Sequence, residues 1–292
     1  MAISTNRFSK IIQLRKRYYE LSRGKQSLLD IISEVEVSEQ VYNSNAIENS
    51  TLSLEETEKI LLQIDLDRFI SVRELFEAKN LARVVEYINK RAKEQLLTED
   101  VILLIHKMLL SNIRDDVAGR FRKANEFVRV GNHIAVNPEK IQPEIEDMLI
   151  EYNTSLDKNI VERIAKLHLR FEFVHPFIDG NGRIGRAINN YLLIQEGYVP
   201  INIKFLDRKT YYDALQEFDS YQKTEKMEII VFKALVNSYF KRLAYLEHKN
   251  IITLNEHSKT SKISHSNLLN KANRQTIEAF VDKGVWKIGV DY

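Results

Sequence analysis

The chain has 292 residues, enough to bury a large core in two or three domains, and its formal charge of +2 is too small to single out nucleic acid as a partner of the whole surface. It contains no cysteine, which excludes disulfides and thiolate sites and is compatible with a reducing cytosol. No secretory segment opens it and no apolar run reaches about 18 residues, so a cytoplasmic chain with no membrane partner is expected.

Few prolines and glycines, and long i, i+3, i+4 apolar patterns, predict helix almost throughout. In chain order, the N-terminus mixes Arg7, Lys10, Arg15, Lys16 and Arg17 with short apolar steps. Residues 35–47 read as a helix that stops at Asn49 and Ser50, and Ser53 with Glu56 forms a capping box that opens the next one. A further helix is predicted over 72–92. Thr98, Glu99 and Asp100 then start another over 101–110, where the core domain is expected to open. The domain boundaries that follow are an N-terminal helical region over 1–95, a core over 96–225 and C-terminal helices with a further module over 226–292.

Residues 119–136 are the one stretch before the core motif that reads as strand: Phe127, Ile134 and Val136 alternate around Gly131-Asn132, a hairpin turn signal. Ile164, Leu167, His168, Phe171 and Glu172 then form a helical run. His106 and His168 lie on apolar stripes and are expected to be core residues with satisfied ring nitrogens.

Residues 175–186, HPFIDGNGRIGR, concentrate the chemistry. Gly180-Asn181-Gly182 can turn successive N–H groups into a concave anion nest. Ile184, Ala187, Ile188, Tyr191 and Leu192 recur at helical spacing, so the nest sits at a helix N-terminus, where free N–H donors add positive potential. Arg183 and Arg186, three apart, share one face and can fork phosphate groups. Asp179 is a hard oxygen ligand suited to Mg2+, and His175 is the natural proton acceptor near neutral pH. Pro176 and Phe177 read as the stiff buried frame that aims His175.

This run resembles the signature of the Fic family, HxFx(D/E)GNGRxxR, at every specified position. The resemblance implies an all-α fold, the Fic helical bundle with a short β-hairpin flap. It further implies Mg-ATP as co-substrate and transfer of AMP to a hydroxyl side chain of a target protein, with pyrophosphate leaving. Carried over by position, His175 deprotonates the hydroxyl and Asp179 holds Mg2+. Gly180, Asn181 and Gly182 take the α-phosphate side, and Arg183 and Arg186 hold the β- and γ-phosphates. Ile184 and Gly185 complete the nucleotide-binding turn, and Tyr212, in a following segment that continues the family pattern, is the candidate to stack on adenine. The flap over 126–136 is expected to dock the target by adding its modified segment as a strand. Ser44-Asn45-Ala46-Ile47-Glu48-Asn49 resembles the family's inhibitory pattern (S/T)xxxE(G/N), which implies Glu48 set against Arg186 in the γ-phosphate's place.

From Ser264 onward the chain reads as helix, turn, helix and a short strand, with Gly284 as a helix stop. This resembles a winged-helix module with its recognition helix over 273–281 and its wing over 286–290. Alternative functions therefore stay open: a DNA-binding or protein-binding regulator acting through this module, or removal of AMP by the same site with Glu48 activating a water. The target, the nucleotide preference and a homodimeric state are not specified by the sequence.

Overall fold

The computed structural model describes residues 5–131 and 133–291; Asn132, in the turn of the expected hairpin, lies outside them. In chain order the elements are α1 (Thr5–Ser22), α2 (Gln26–Ile47), α3 (Leu54–Leu61), α4 (Val72–Arg91), α5 (Glu99–Leu110), β1 (Arg129–Val130), β2 (His133–Ile134), α6 (Ile141–Thr154), α7 (Ile160–Val174), α8 (Asn181–Gln195), α9 (Arg208–Tyr221), α10 (Glu225–Leu246), β3 (Asn250–Thr253), α11 (Leu254–Thr260), α12 (His265–Asn273), β4 (Ala279–Asp282) and β5 (Val285–Val290). The helical expectation holds for most of the chain, and two of the helix-start signals act where they were read. Ser53 accepts from the Glu56 N–H while Glu56 returns to the Ser53 N–H, and Thr98 caps α5.

The chain divides into two compact units. The first runs over 37–231. In it α8 lies against α7, α4 and α5, and α7 also carries α6 and α9. Ile102, Ile105, Leu109, Ile164, Phe171, Phe177, Ile184, Ile188 and Tyr191 are sealed from solvent. Each such side chain contributes about 1.5–3 kcal/mol of hydrophobic stabilisation. β1 and β2 form the expected hairpin, pairing Arg129 with Ile134 and Val130 with His133, with Gly131 at φ 60° in the turn.

The second unit takes residues 4–36 and 232–292, of which 5–36 and 232–291 are described. Its sheet has the order β3-β5-β4, antiparallel throughout, and packs Ala279 and Ile288 against Leu254 of α11 and Leu268 and Ala272 of α12. Lys241 and Lys287 both hold the buried Asp282 carboxylate, at 2.5 and 2.6 Å. The expected helix over 273–281 is not formed. The helix ends at Asn273 because the Gln275 and Thr276 N–H groups turn back to the Ala272 and Lys271 carbonyls, with Gln275 at φ 55°. Residues 279–282 form β4. Gly284 is not a helix stop: Lys283 and Gly284, both at positive φ, make the two-residue turn that joins β4 to β5.

Candidate active site

The motif residues occupy the turn from α7 into α8. His175 closes α7 in the left-handed region, φ 49°, and its N–H returns to the Phe171 carbonyl at 2.9 Å. That conformation costs a non-glycine residue energy, so the surroundings must impose it. Arg122 does so. Its guanidinium donates to the carbonyls of His175 (2.9 Å), Val174 (3.4 Å), Glu126 (2.8 Å) and Val136 (2.7 Å), and its own N–H donates to the Pro176 carbonyl. One side chain thereby ties both sides of the flap to the segment carrying the base.

His106 and Asn181 fix the loop from inside. The His106 ring stacks on Phe177 at 3.6 Å, accepts the Gly119 N–H at Nδ1, and so donates from Nε2 to the Asp179 carbonyl at 3.1 Å. Asn181, 3% exposed, spends its side-chain amide on the Phe177 N–H and carbonyl, at 2.9 and 2.8 Å. What Asn181 offers an anion is therefore its backbone. His168, the other expected core histidine, is fully buried, bonded to Tyr211 Oη at 2.8 Å and to Asn189 at 3.1 Å.

The three glycines of the motif serve different needs. Gly180 alone requires positive φ, 85°, and a Cβ there would also press on Leu109 and Leu110. Gly182 is helical but needs space, since a Cβ would come within 2.1 Å of Glu48 Oε1. Gly185 lets α8 close on α7, where a Cβ would sit 2.8 Å from Glu172 Oε1. Ile184, between them, is sealed in the core.

Charge converges on the first turns of α8. Asp179 Oδ1 holds Arg183 at 2.9 Å and Oδ2 holds Arg73, from the start of α4, at 2.5 Å. Arg183, 5% exposed, also pairs with Glu77 at 3.0 Å, and its buried Nε has no acceptor among the described residues. Arg186 Nη2 meets Glu48 Oε1 at 2.9 Å and the Ser44 carbonyl at 2.8 Å, Nε meets Ser44 Oγ at 2.9 Å, and Nη1 faces Tyr211 Oη at 3.3 Å. The resemblance to the inhibitory pattern (S/T)xxxE(G/N) brought Ser44 and Glu48 forward with Arg186, and the three are in contact.

Burial sets the protonation states. It draws the His175 imidazole down to about 4, against the Glu172 backbone carbonyl, so the ring is neutral at pH 7 and free to take a proton. Asp179 is held below its ordinary value: Arg183 and Arg73 outweigh its partial burial and keep it ionised. Arg186 stays charged above the usual arginine range; burial opposes this, but Tyr211, Glu48 and Glu172 overcome it. Glu172 is pushed up to about 8, first by burial and then by Glu48, and its sealed Oε1 has no partner among the described residues. It is a protonated acid at neutral pH, and nothing in the local sequence marked it.

Beside these groups lies a pocket of about 400 Å3 lined by Tyr212, Leu215 and Asp219 of α9, Glu172 of α7, and Val130, Gly131 and His133 of the flap. Tyr212 faces it with its hydroxyl tied to the Ile47 carbonyl at 3.2 Å and the Arg208 guanidinium 5.4 Å from its ring centre. His133 bridges the flap to the Asp219 carboxylate (2.7 Å) and the Phe173 carbonyl (2.8 Å). Among the described residues no three metal-ligating side chains cluster, and of residues 175–186 only Asp179 offers a carboxylate.

Residues 96–193 match the Fic/DOC family. A protein adenylyltransferase Fic of Nematostella vectensis is 30% identical over 213 residues, 71% of this chain and 49% of its own length. The chain thus spans about half the length of that relative, and 35% of fic-1 of Caenorhabditis elegans, to which it is 32% identical over 181 residues. In structure, a Fic-domain signalling protein from Bacteroides thetaiotaomicron superposes with a TM-score of 0.72 at 24% identity, over 82% of this chain and 97% of that one.

Proposed function

The chain belongs to the Fic/DOC family through residues 96–193, and on that premise we propose that it is an autoinhibited protein adenylyltransferase, transferring AMP from Mg-ATP to a hydroxyl side chain of a target protein. The observation that carries this reading is the Arg186–Glu48 contact at the N-terminus of α8: a buried guanidinium suited to a phosphate, covered by a carboxylate that is 32% exposed and can leave.

In the proposed reaction the target's hydroxyl oxygen attacks the α-phosphorus. Its proton goes to the neutral His175 imidazole, a P–O bond forms, and the bond from the α-phosphorus to the bridging oxygen breaks, releasing pyrophosphate. The backbone N–H groups of Gly180, Asn181 and Gly182 receive the α-phosphate, where only small residues leave room. Arg183, with its orphaned Nε, and Arg186 take the β- and γ-phosphates. Asp179, ionised and partly exposed, would hold a magnesium ion, which would neutralise phosphate charge. The base lies in the 400 Å3 pocket against Tyr212, and the target strand lies along the flap, where Phe127 and Ile134 are exposed. Most of the acceleration comes from positioning and charge neutralisation.

Glu48 keeps the resting rate low because its carboxylate occupies the γ-phosphate's partner on Arg186 and the space above Gly182. No helix among the described residues is long and apolar enough to cross a membrane, and the reading sets the reaction in the cytoplasm. The C-terminal β3-α11-α12-β4-β5 arrangement suits a winged helix whose recognition helix is α12, a module for contacts with a macromolecule.

The test is labelling of the protein and of a lysate with α-labelled ATP and Mg2+, comparing wild type, Glu48→Gly, and Glu48→Gly with His175→Ala. Label that rises on removing Glu48 and vanishes without His175 supports the reading. Absence of label in all three overturns it.

A further inference from the structure

Both carboxylate oxygens of Asp179 are occupied, one by each of two arginines, but the two arginines are unlike. Arg183 is 5% exposed and wedged between Asp179 and Glu77. Arg73 is 52% exposed, reaches Asp179 Oδ2 at 2.5 Å from the second residue of α4, and is steadied by Glu77 at 3.0 Å through its Nε. Glu77 Oε1 therefore touches both guanidiniums, and the four side chains close a ring of two negative and two positive charges. The ring is balanced as it stands. A divalent ion added to Asp179 with Arg73 in place brings it against a cation a few ångströms away, in a partly desolvated site where like charges repel strongly.

We propose that Arg73 is a resident counter-cation of Asp179, holding the carboxylate oxygen that a divalent metal needs and swinging into solvent when the metal arrives. The inference rests on the reading of Asp179 as the metal-holding residue. It adds a second restraint to the site, independent of Glu48, because Arg73 contacts neither Arg186 nor Ser44. Of the ring's members only Arg73 can depart freely: its side chain is half in water, whereas Arg183 would abandon a buried position. Bare divalent ions then bind feebly, and the metal enters with a nucleotide whose phosphates add the missing oxygens and offset the charge.

The experiment uses the full chain and Mn2+ as the probe, titrated by electron paramagnetic resonance of the free ion, alone and with α,β-methylene-ATP. Wild type, Arg73→Gln, Arg73→Lys, Asp179→Asn, and Arg73→Gln with Asp179→Asn are compared, with thermal melts recording that each is folded. Arg73→Gln is expected to tighten Mn2+ binding about fivefold, the scale of a half-exposed ion pair. Arg73→Lys, which keeps the charge, is expected to stay within about twofold of wild type. Adding Asp179→Asn should erase the gain. Binding by Arg73→Gln equal to or weaker than wild type overturns the proposal. A gain that survives Asp179→Asn overturns instead the assignment of Asp179 as the metal-holding residue.

Discussion

Glu172→Gln is the perturbation whose consequence follows most directly from the buried charges. The Glu172 carboxyl, sealed at Oε1 and facing Glu48, titrates near 8 in the folded chain against 4.5 in an ordinary carboxyl. A raised carboxyl pKa means that the folded chain binds the extra proton, so its contribution is full below 4.5 and is lost as pH rises to 8. Each pH unit within that window removes about 1.4 kcal/mol. His106, His168 and His175 act with the opposite sign. Burial holds them near 4, 3 and 4, below the ordinary 6.5, so their contribution is full above 6.5 and is lost as pH falls. Three such groups against one carboxyl give a net loss of about 3 kcal/mol per unit below pH 6.5. Stability is thus expected to peak near pH 6.5 and to fall by about 2 kcal/mol on going to pH 8. Glu172→Gln keeps the shape without the titration, so its alkaline limb should be flat and its stability at pH 8 about 4 kcal/mol above wild type. Urea unfolding at half-unit steps from pH 5 to 8.5 measures both curves. Parallel wild-type and variant curves between pH 6.5 and 8 would refute the assignment of a buried, protonated Glu172.

Ser44→Ala removes the hydroxyl that Arg186 Nε uses but leaves the Ser44 carbonyl and Glu48 in place, so transfer should rise only about fivefold, less than with Glu48→Gly, in the same labelling assay. Arg122→Ala strips donors from the His175, Glu126, Val136 and Val174 carbonyls at once; a loss of about 3–5 kcal/mol in urea unfolding is expected, together with loss of label. Because His175 titrates near 4, the acid limb of kcat/KM in Glu48→Gly should fall below pH 5, and a limb centred at 6.5 would contradict the buried, neutral base.

The parts of the site that could be read in the sequence are those whose signal is local. The run from His175 to Arg186 and the Ser44–Glu48 pattern each lie within a few turns of chain, and their meeting at Arg186, 138 residues from Glu48, was implied by the family resemblance and not by any local signal. Arg73, Glu77, Arg122 and Tyr211 act on the same groups from positions roughly 25 to 106 residues away, and nothing in their own neighbourhoods distinguishes them from surface or core residues of the same type. The glycines illustrate the same limit: φ freedom is a local property and was legible for Gly180, whereas Gly182 and Gly185 answer to Glu48 and Glu172, which only the fold brings near. At the C-terminus, residues 273–281 carry helix-compatible spacing, but Thr276, Ile277, Phe280 and Val281 favour strand, and pairing of β4 with β5 decides the outcome.

The atom-sized space above Gly182 has one further consequence. Glu48 Oε1 fills the room above Gly182 and holds Arg186, and on the proposed reading a γ-phosphate oxygen needs both, so carboxylate and phosphate compete for one place. On the proposed reading Glu48 is an inhibitor delivered at the fixed effective concentration of a tether. Diluting the protein cannot relieve such inhibition, and adding nucleotide can, because binding and release are linked reciprocally. On that reading the unlocked fraction rises with nucleotide concentration, and the strength of the 2.9 Å Arg186–Glu48 contact sets how much nucleotide is needed.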